Sequence, residues 1–106
     1  RLDRLDDGDL ATGPNYGLCL YHSGVNGSLY AVTTTEETVV EQHALMIDAH
    51  RQPSLRKVRS WELGKCEGAV GDDERQRLYI SVETEGVWEL GAEPDQPTPG
   101  RLAIRL

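Results

Sequence analysis

The sequence predicts an all-β chain, a β-propeller fragment of about two four-stranded antiparallel blades. Three observations lead there. The apolar runs are short and rich in Val, Thr, Tyr and Trp, which suits strands and not helices. Turn cues separate them, Asn26-Gly27 being the strongest. The order of runs then recurs after roughly 45–50 residues, the span of a propeller blade.

Residues 1–15 are polar, with "DDGD" and "GPN" as turn signals, and read as a connecting segment or the end of a preceding blade. Residues 16–64 form the first predicted blade. "GLCLYHS" (17–23) leads through "GVNG" to "SLYAVTT" (28–34), and the turn "TEET" leads to "VVEQHALM" (39–46). The loop "IDAHRQPS" then precedes "RKVRSWEL" (56–63), where Val58 alternates with charge. Residues 65–106 repeat the order. "EGAVGDD" (67–73) answers "YGLCLYH" (16–22), and "RLYISVE" (77–83) answers "SLYAVTT", with Tyr79 against Tyr30 and Glu83 against Thr34. "GVWEL" (86–90) answers "VEQHAL", and "RLAIRL" (101–106) answers "KVRSWEL". Trp61, Trp88, Tyr30 and Tyr79 are expected in the core. "GAEPDQPTPG" is a loop whose prolines forbid a continuous ladder. The final run reads as a strand cut short, so the expectation is a piece of a longer protein. Two blades leave sheet faces and edges uncovered, so the isolated chain is expected to self-associate.

Eleven Lys and Arg stand against 18 Asp and Glu, a net charge of −7. That balance argues against a nucleic-acid backbone or an anionic membrane surface as partner. It suits a cation-binding protein or a merely soluble one. No apolar run approaches the ~18 residues of a membrane span. Cys19 and Cys66 lack C-x-x-C spacing. They read as two separate thiols or as one disulfide between neighbouring strands. His22, His43 and His50 have no partner at metal-ligand spacing, and no serine sits in a G-x-S-x-G elbow. There is no phosphate loop.

The acids are more informative. Tyr16-Gly17 and Glu67-Gly68 hold the same place in the repeat, just ahead of the innermost strand of successive blades. In a propeller that place lies near the rim of the central channel. Glu83 ends the strand paired with the one that Glu67 begins. Glu67 and Glu83 can therefore flank one site on one face. Two carboxylates and a phenol oxygen make an all-oxygen set of the kind Ca²⁺ prefers. The competing reading is that these are solvated turn acids.

The strands then resemble one family in their wording. "YGLCLYHS", "GSLYAVTT", "VEQHAL", "KVRSWELG" and "CEGAVGDDERQRLYISVETEGVWELGAEPD", in that order, are similar to the β-propeller phytases. The resemblance runs from Tyr16 to about Asp95. It implies a six-bladed parent of which two blades are about a third. It implies calcium-dependent hydrolysis of phytate, the hexakisphosphate of myo-inositol, by metal-activated water. Glu67 and Glu83 match family glutamates that bind Ca²⁺ at the catalytic centre, and Tyr16 matches the family's active-site Tyr. A secreted or periplasmic location is likewise an implication of the family. Departures exist. Where the family turn "VTGK" carries a phosphate-holding Lys, this chain reads "TTTEE" and places Glu36. A carboxylate there repels phosphate. "AEPDGG" becomes "AEPDQP". The expectation is a calcium-dependent phytase in the parent and an inactive piece in isolation. The alternatives are a degenerate, non-catalytic module binding Ca²⁺ or phosphorylated ligands, and a structural propeller.

Overall fold

A computed structural model describes residues 15–35, 38–95 and 100–105. It holds eight antiparallel strands in two four-stranded sheets, with no helix among the described residues. The first sheet runs in sequence order through β1 (Asn15–His22), β2 (Leu29–Thr35), β3 (Val39–Ile47) and β4 (Pro53–Glu62). The second runs through β5 (Cys66–Asp72), β6 (Arg77–Val82), β7 (Gly86–Gly91) and β8 (Arg101–Arg105). Each sheet is a meander, the unit from which a propeller blade is made.

Alternation explains which faces meet. In β6, Leu78, Ile80 and Val82 are buried while Arg77, Tyr79 and Ser81 are only partly so. The buried faces of both sheets share one core, in which Tyr21, Tyr30, Val32, Val40 and Ala44 meet Cys66, Leu78, Ile80, Val82, Leu90 and Ala92. Each large aliphatic chain buried this way contributes roughly 1.5–3 kcal/mol. β5 packs against β1 and β2, so the first strands of the two sheets are neighbours. Their approach is too close for a side chain at Gly71, where a Cβ would lie 2.9 Å from the Leu20 carbonyl oxygen.

A buried polar seam joins the same two sheets. The Glu93 carboxylate, 4% exposed, accepts hydrogen bonds from the Tyr21 phenol and, at 2.8 Å, from Ser23 Oγ. Gln42 Nε2 donates to the Ala92 carbonyl at 2.9 Å, and Arg59 Nε donates to Gln42 Oε1 at 2.6 Å. The Arg59 guanidinium also donates to the Gly91 carbonyl and stacks over Trp61, 4.2 Å from the ring centroid. Burial pulls Arg59 down to about 10, against the opposing pull of Glu93, and leaves it charged at neutral pH. The first sheet thus grips the segment 91–93 that leaves β7.

Some expectations shift in detail. Pro53 and Ser54, expected in a loop, begin β4. β4 is an outer strand, and a proline at a strand's first residue costs no ladder bond. Tyr79 does not answer Tyr30. Gly17 pairs with Thr34 and Gly68 with Ser81, so the repeat in β6 is displaced by two residues. The cause is the hairpin. The connection between β1 and β2 covers 23–28, and that between β5 and β6 covers only 73–76. Tyr30 is buried and stacks on Tyr21, whereas Tyr79 is on the opposite face of its sheet. Trp61 and Trp88 are partly buried and pack against the core. Cys19 and Cys66 are free thiols, the first partly buried and the second buried. His43 is buried with Nε2 3.3 Å from Glu41, and His22 and His50 are exposed.

Candidate rim site between the two sheets

Both inner hairpins carry the same irregularity. The register of β1 on β2 slips between Asn15 and Gly17, and that of β5 on β6 slips between Cys66 and Gly68. Each slip inserts one extra residue, Tyr16 in the first sheet and Glu67 in the second. Bulges bend the strand and re-aim a side chain. The two bulges also abut. A Cβ on Gly17 would lie 3.5 Å from Gly68 Cα and 3.6 Å from the Glu67 carbonyl oxygen. The backbone at Tyr16-Gly17 therefore lies against Glu67-Gly68. The side chain of Tyr16 is outside the described residues, as is Glu36.

Glu83 reaches the same end of the second sheet. Cys66 pairs with Val82, and the ladder continues as Glu83 N–H donates to the Lys65 carbonyl at 2.8 Å. The 83–85 turn is fixed from its other side too. Glu85 N–H donates to the Val82 carbonyl at 3.2 Å, and the Trp88 indole donates to Glu85 Oε2 at 2.6 Å. Glu67 and Glu83 thus flank the Cys66–Val82 pair, and both are exposed. Burial pushes the Cys66 thiol up, with the Glu85 carboxylate adding to the effect. By register, the second-sheet counterpart of Thr34 is Ser81, so Glu83 does not answer Thr34.

Two features here were missed in the sequence. One is Lys65, whose ammonium lies 3.6 Å from Glu83 Oε2. The signal was present as a lone cation two residues ahead of Glu67 in an acidic stretch. The other is Thr34, fully buried, whose Oγ1 has no hydrogen-bond partner. It sits beside the bulge, 3.1 Å from where a Gly17 Cβ would be. Nothing in a strand pattern marks a threonine as unsatisfied.

The donor set fits a hard cation in kind. Glu67 and Glu83 are accessible carboxylates, the lysine ammonium shows that Glu83 already draws a cation, and an orphan hydroxyl lies at the junction. It falls short in number, since no group of three or more His, Cys, Asp or Glu able to hold a metal occurs among the described residues. Ca²⁺ takes six to eight oxygens, so further ligands must come from elsewhere.

Two abutting sheets with an acidic rim at their bulged ends define a propeller fragment whose candidate site lies where the inner strands meet. The phytase family model matches residues 10–105. A 3-phytase of Bacillus subtilis (strain 168) is 36% identical over 91 residues, 85% of this chain and 24% of that protein. The chain belongs to the phytase family. It spans about a quarter of the length of that curated relative.

Proposed function

We propose that this chain is the part of a calcium-dependent phytase that carries Glu67, Glu83 and Tyr16 at the rim of the channel. The substrate class is phosphomonoesters of myo-inositol hexakisphosphate. The observation that carries the reading is the pair of abutting bulges at Tyr16 and Glu67, with Glu83 stitched beside the second one. Bound Ca²⁺ would supply charge neutralisation and an activated water. Glu67 and Glu83 would hold it, and the Tyr16 phenol would add an oxygen to the set. The hydrogen-bonded 83–85 turn fixes the backbone that presents Glu83 beside the second bulge. The described residues carry too few ligands for the reaction, and we infer that the chain is inactive in isolation.

A second reading rests on Glu36. An acid in place of a phosphate-holding lysine suits a non-catalytic module that binds Ca²⁺ or a phosphorylated ligand. One experiment separates the two. Phosphate release from phytate is measured for the full-length polypeptide, with and without Ca²⁺, beside a Glu67→Gln, Glu83→Gln double variant. Calcium-dependent release that drops at least about a hundredfold in the variant supports the first reading, since even outer-shell partners of metals are worth 10–100-fold. Calcium binding without release moves the conclusion to the second.

A further inference from the structure

We propose that Lys65 is a substrate-binding residue of this rim: its ammonium balances Glu83 before a cation is bound and contacts a phosphoryl oxygen afterwards. The inference rests on the rim site proposed above. Three observations carry it. The first is placement. The Lys65 carbonyl accepts the Glu83 N–H at 2.8 Å, so the lysine is fixed to the strand pair that presents both glutamates, one residue ahead of β5. The second is freedom. Its Nζ lies 3.6 Å from Glu83 Oε2, and the two side chains are 53% and 44% exposed. A contact that long and that wet is weak and exchanges readily. The third is charge. The rim here presents Glu67, Glu83 and Glu85, and Lys65 is the cation paired to it among the described residues.

Several other cations are engaged elsewhere. Arg59 is held in the buried seam, Arg75 faces Asp72, and Arg77 and Arg101 face Glu89. Lys57 faces Glu41. A phosphomonoester approaching two carboxylates meets repulsion unless cations stand between them. Once a divalent ion takes the Glu83 oxygens, the ammonium loses its partner. Its flexible stem lets it turn to the dianion that the same ion attracts. Lys65 thus competes with the metal for Glu83 and cooperates with it toward phosphate.

The test uses the full-length polypeptide and Lys65→Met and Lys65→Arg variants. Calorimetry reads Ca²⁺ binding without substrate, then inorganic phosphate binding at saturating Ca²⁺. In Lys65→Met, Ca²⁺ affinity rises about two- to fivefold, the worth of an exposed ion pair. Phosphate affinity falls about tenfold or more, the worth of a charge-assisted hydrogen bond. With phytate, KM rises in the same ratio and kcat changes less. Lys65→Arg stays within about threefold of the parent protein in phosphate affinity, well inside the loss expected for Lys65→Met. Unchanged Ca²⁺ and phosphate affinities in a folded Lys65→Met protein overturn the proposal. A parent protein that binds Ca²⁺ and phosphate but releases none from phytate sinks the enzymatic reading, and the two binding shifts still decide the role of Lys65. A parent that binds neither ligand overturns both.

Discussion

The Tyr21 phenol donates its proton to the Glu93 carboxylate across the junction of the two sheets, joining residues 72 positions apart. Both groups are buried, and Ser23 supplies a second donor to the same carboxylate. Tyr21→Phe removes one donor from a buried anion. It should cost about 1.5–3 kcal/mol, the value of a hydrogen bond to a charged group. Glu93→Gln should cost at least as much, because an amide cannot accept on both of its ends. Denaturant unfolding of the full-length protein reads both. A loss below about 0.5 kcal/mol in each, the size of an ordinary surface change, would show that the seam is solvated.

Gly71 is where β5 meets β1 most closely. A Cβ there would stand 2.9 Å from the Leu20 carbonyl oxygen, which is backbone and cannot swing aside. Gly71→Ala should therefore separate the inner strands and destabilise by about 1–3 kcal/mol, as overpacking does. Gly24→Ala, with nothing within 4 Å of the added carbon, is the control. Equal melting temperatures for the two variants would refute the close approach.

Alkaline pH should weaken the fold. Burial first, and then the hydrogen bond to Glu93, hold the Tyr21 phenol well above its usual value. Burial pushes the Cys19 thiol up to about 11, and Cys66 moves the same way. Each group keeps its proton longer when folded than when unfolded. Their stabilising effect is complete below the unfolded values, about 8.5 for thiols and 10 for the phenol. It is lost as pH rises, at up to about 1.4 kcal/mol per pH unit per proton. Stability measured against pH should bend downward from about 8.5 and more steeply beyond 10. The steeper part should flatten in Tyr21→Phe. A flat profile to pH 11 would contradict the burial of these groups.

The outer faces of both sheets carry exposed apolar side chains. Leu18 and Leu20 are 63% and 58% exposed on β1, and Val70 and Ile104 are 62% and 60% exposed on β5 and β8. In the isolated 106-residue stretch these faces should drive association. Light scattering at tens of micromolar should report a dimer or larger, with a Leu18→Lys, Leu20→Lys variant shifted toward monomer. A parent stretch that stays monomeric would show that the faces tolerate water.

Much of this fold could be read in the residues because strands declare themselves locally. Leu78, Ile80 and Val82 alternate with Arg77, Tyr79 and Ser81, and Asn26-Gly27 marks a hairpin. The two-residue displacement of the repeat could not be read, since it follows from a shorter hairpin and Tyr79 offered a false match to Tyr30. That Glu67 and Glu83 lie at the same end of the second sheet was legible from antiparallel order alone. The bulges were not, because a bulge adds a residue without changing composition. Glu93 was legible as part of a family motif but not as a buried anion. Its burial depends on Tyr21 and Ser23, which are distant in sequence, and no local pattern encodes that contact.

The polar seam also sets an order in time. Tyr21, Gln42 and Arg59 lie in strands of the first sheet and Ser23 in its first hairpin connection, yet their partners are Gly91, Ala92 and Glu93. A ribosome completes the first sheet about 30 residues before it delivers those partners, a delay of a few seconds at ordinary synthesis rates. During that interval a nascent sheet holds an arginine, a glutamine and a tyrosine facing a surface that does not yet exist. Closure awaits Glu93, so the two sheets mature as a pair and the first has no finished state of its own.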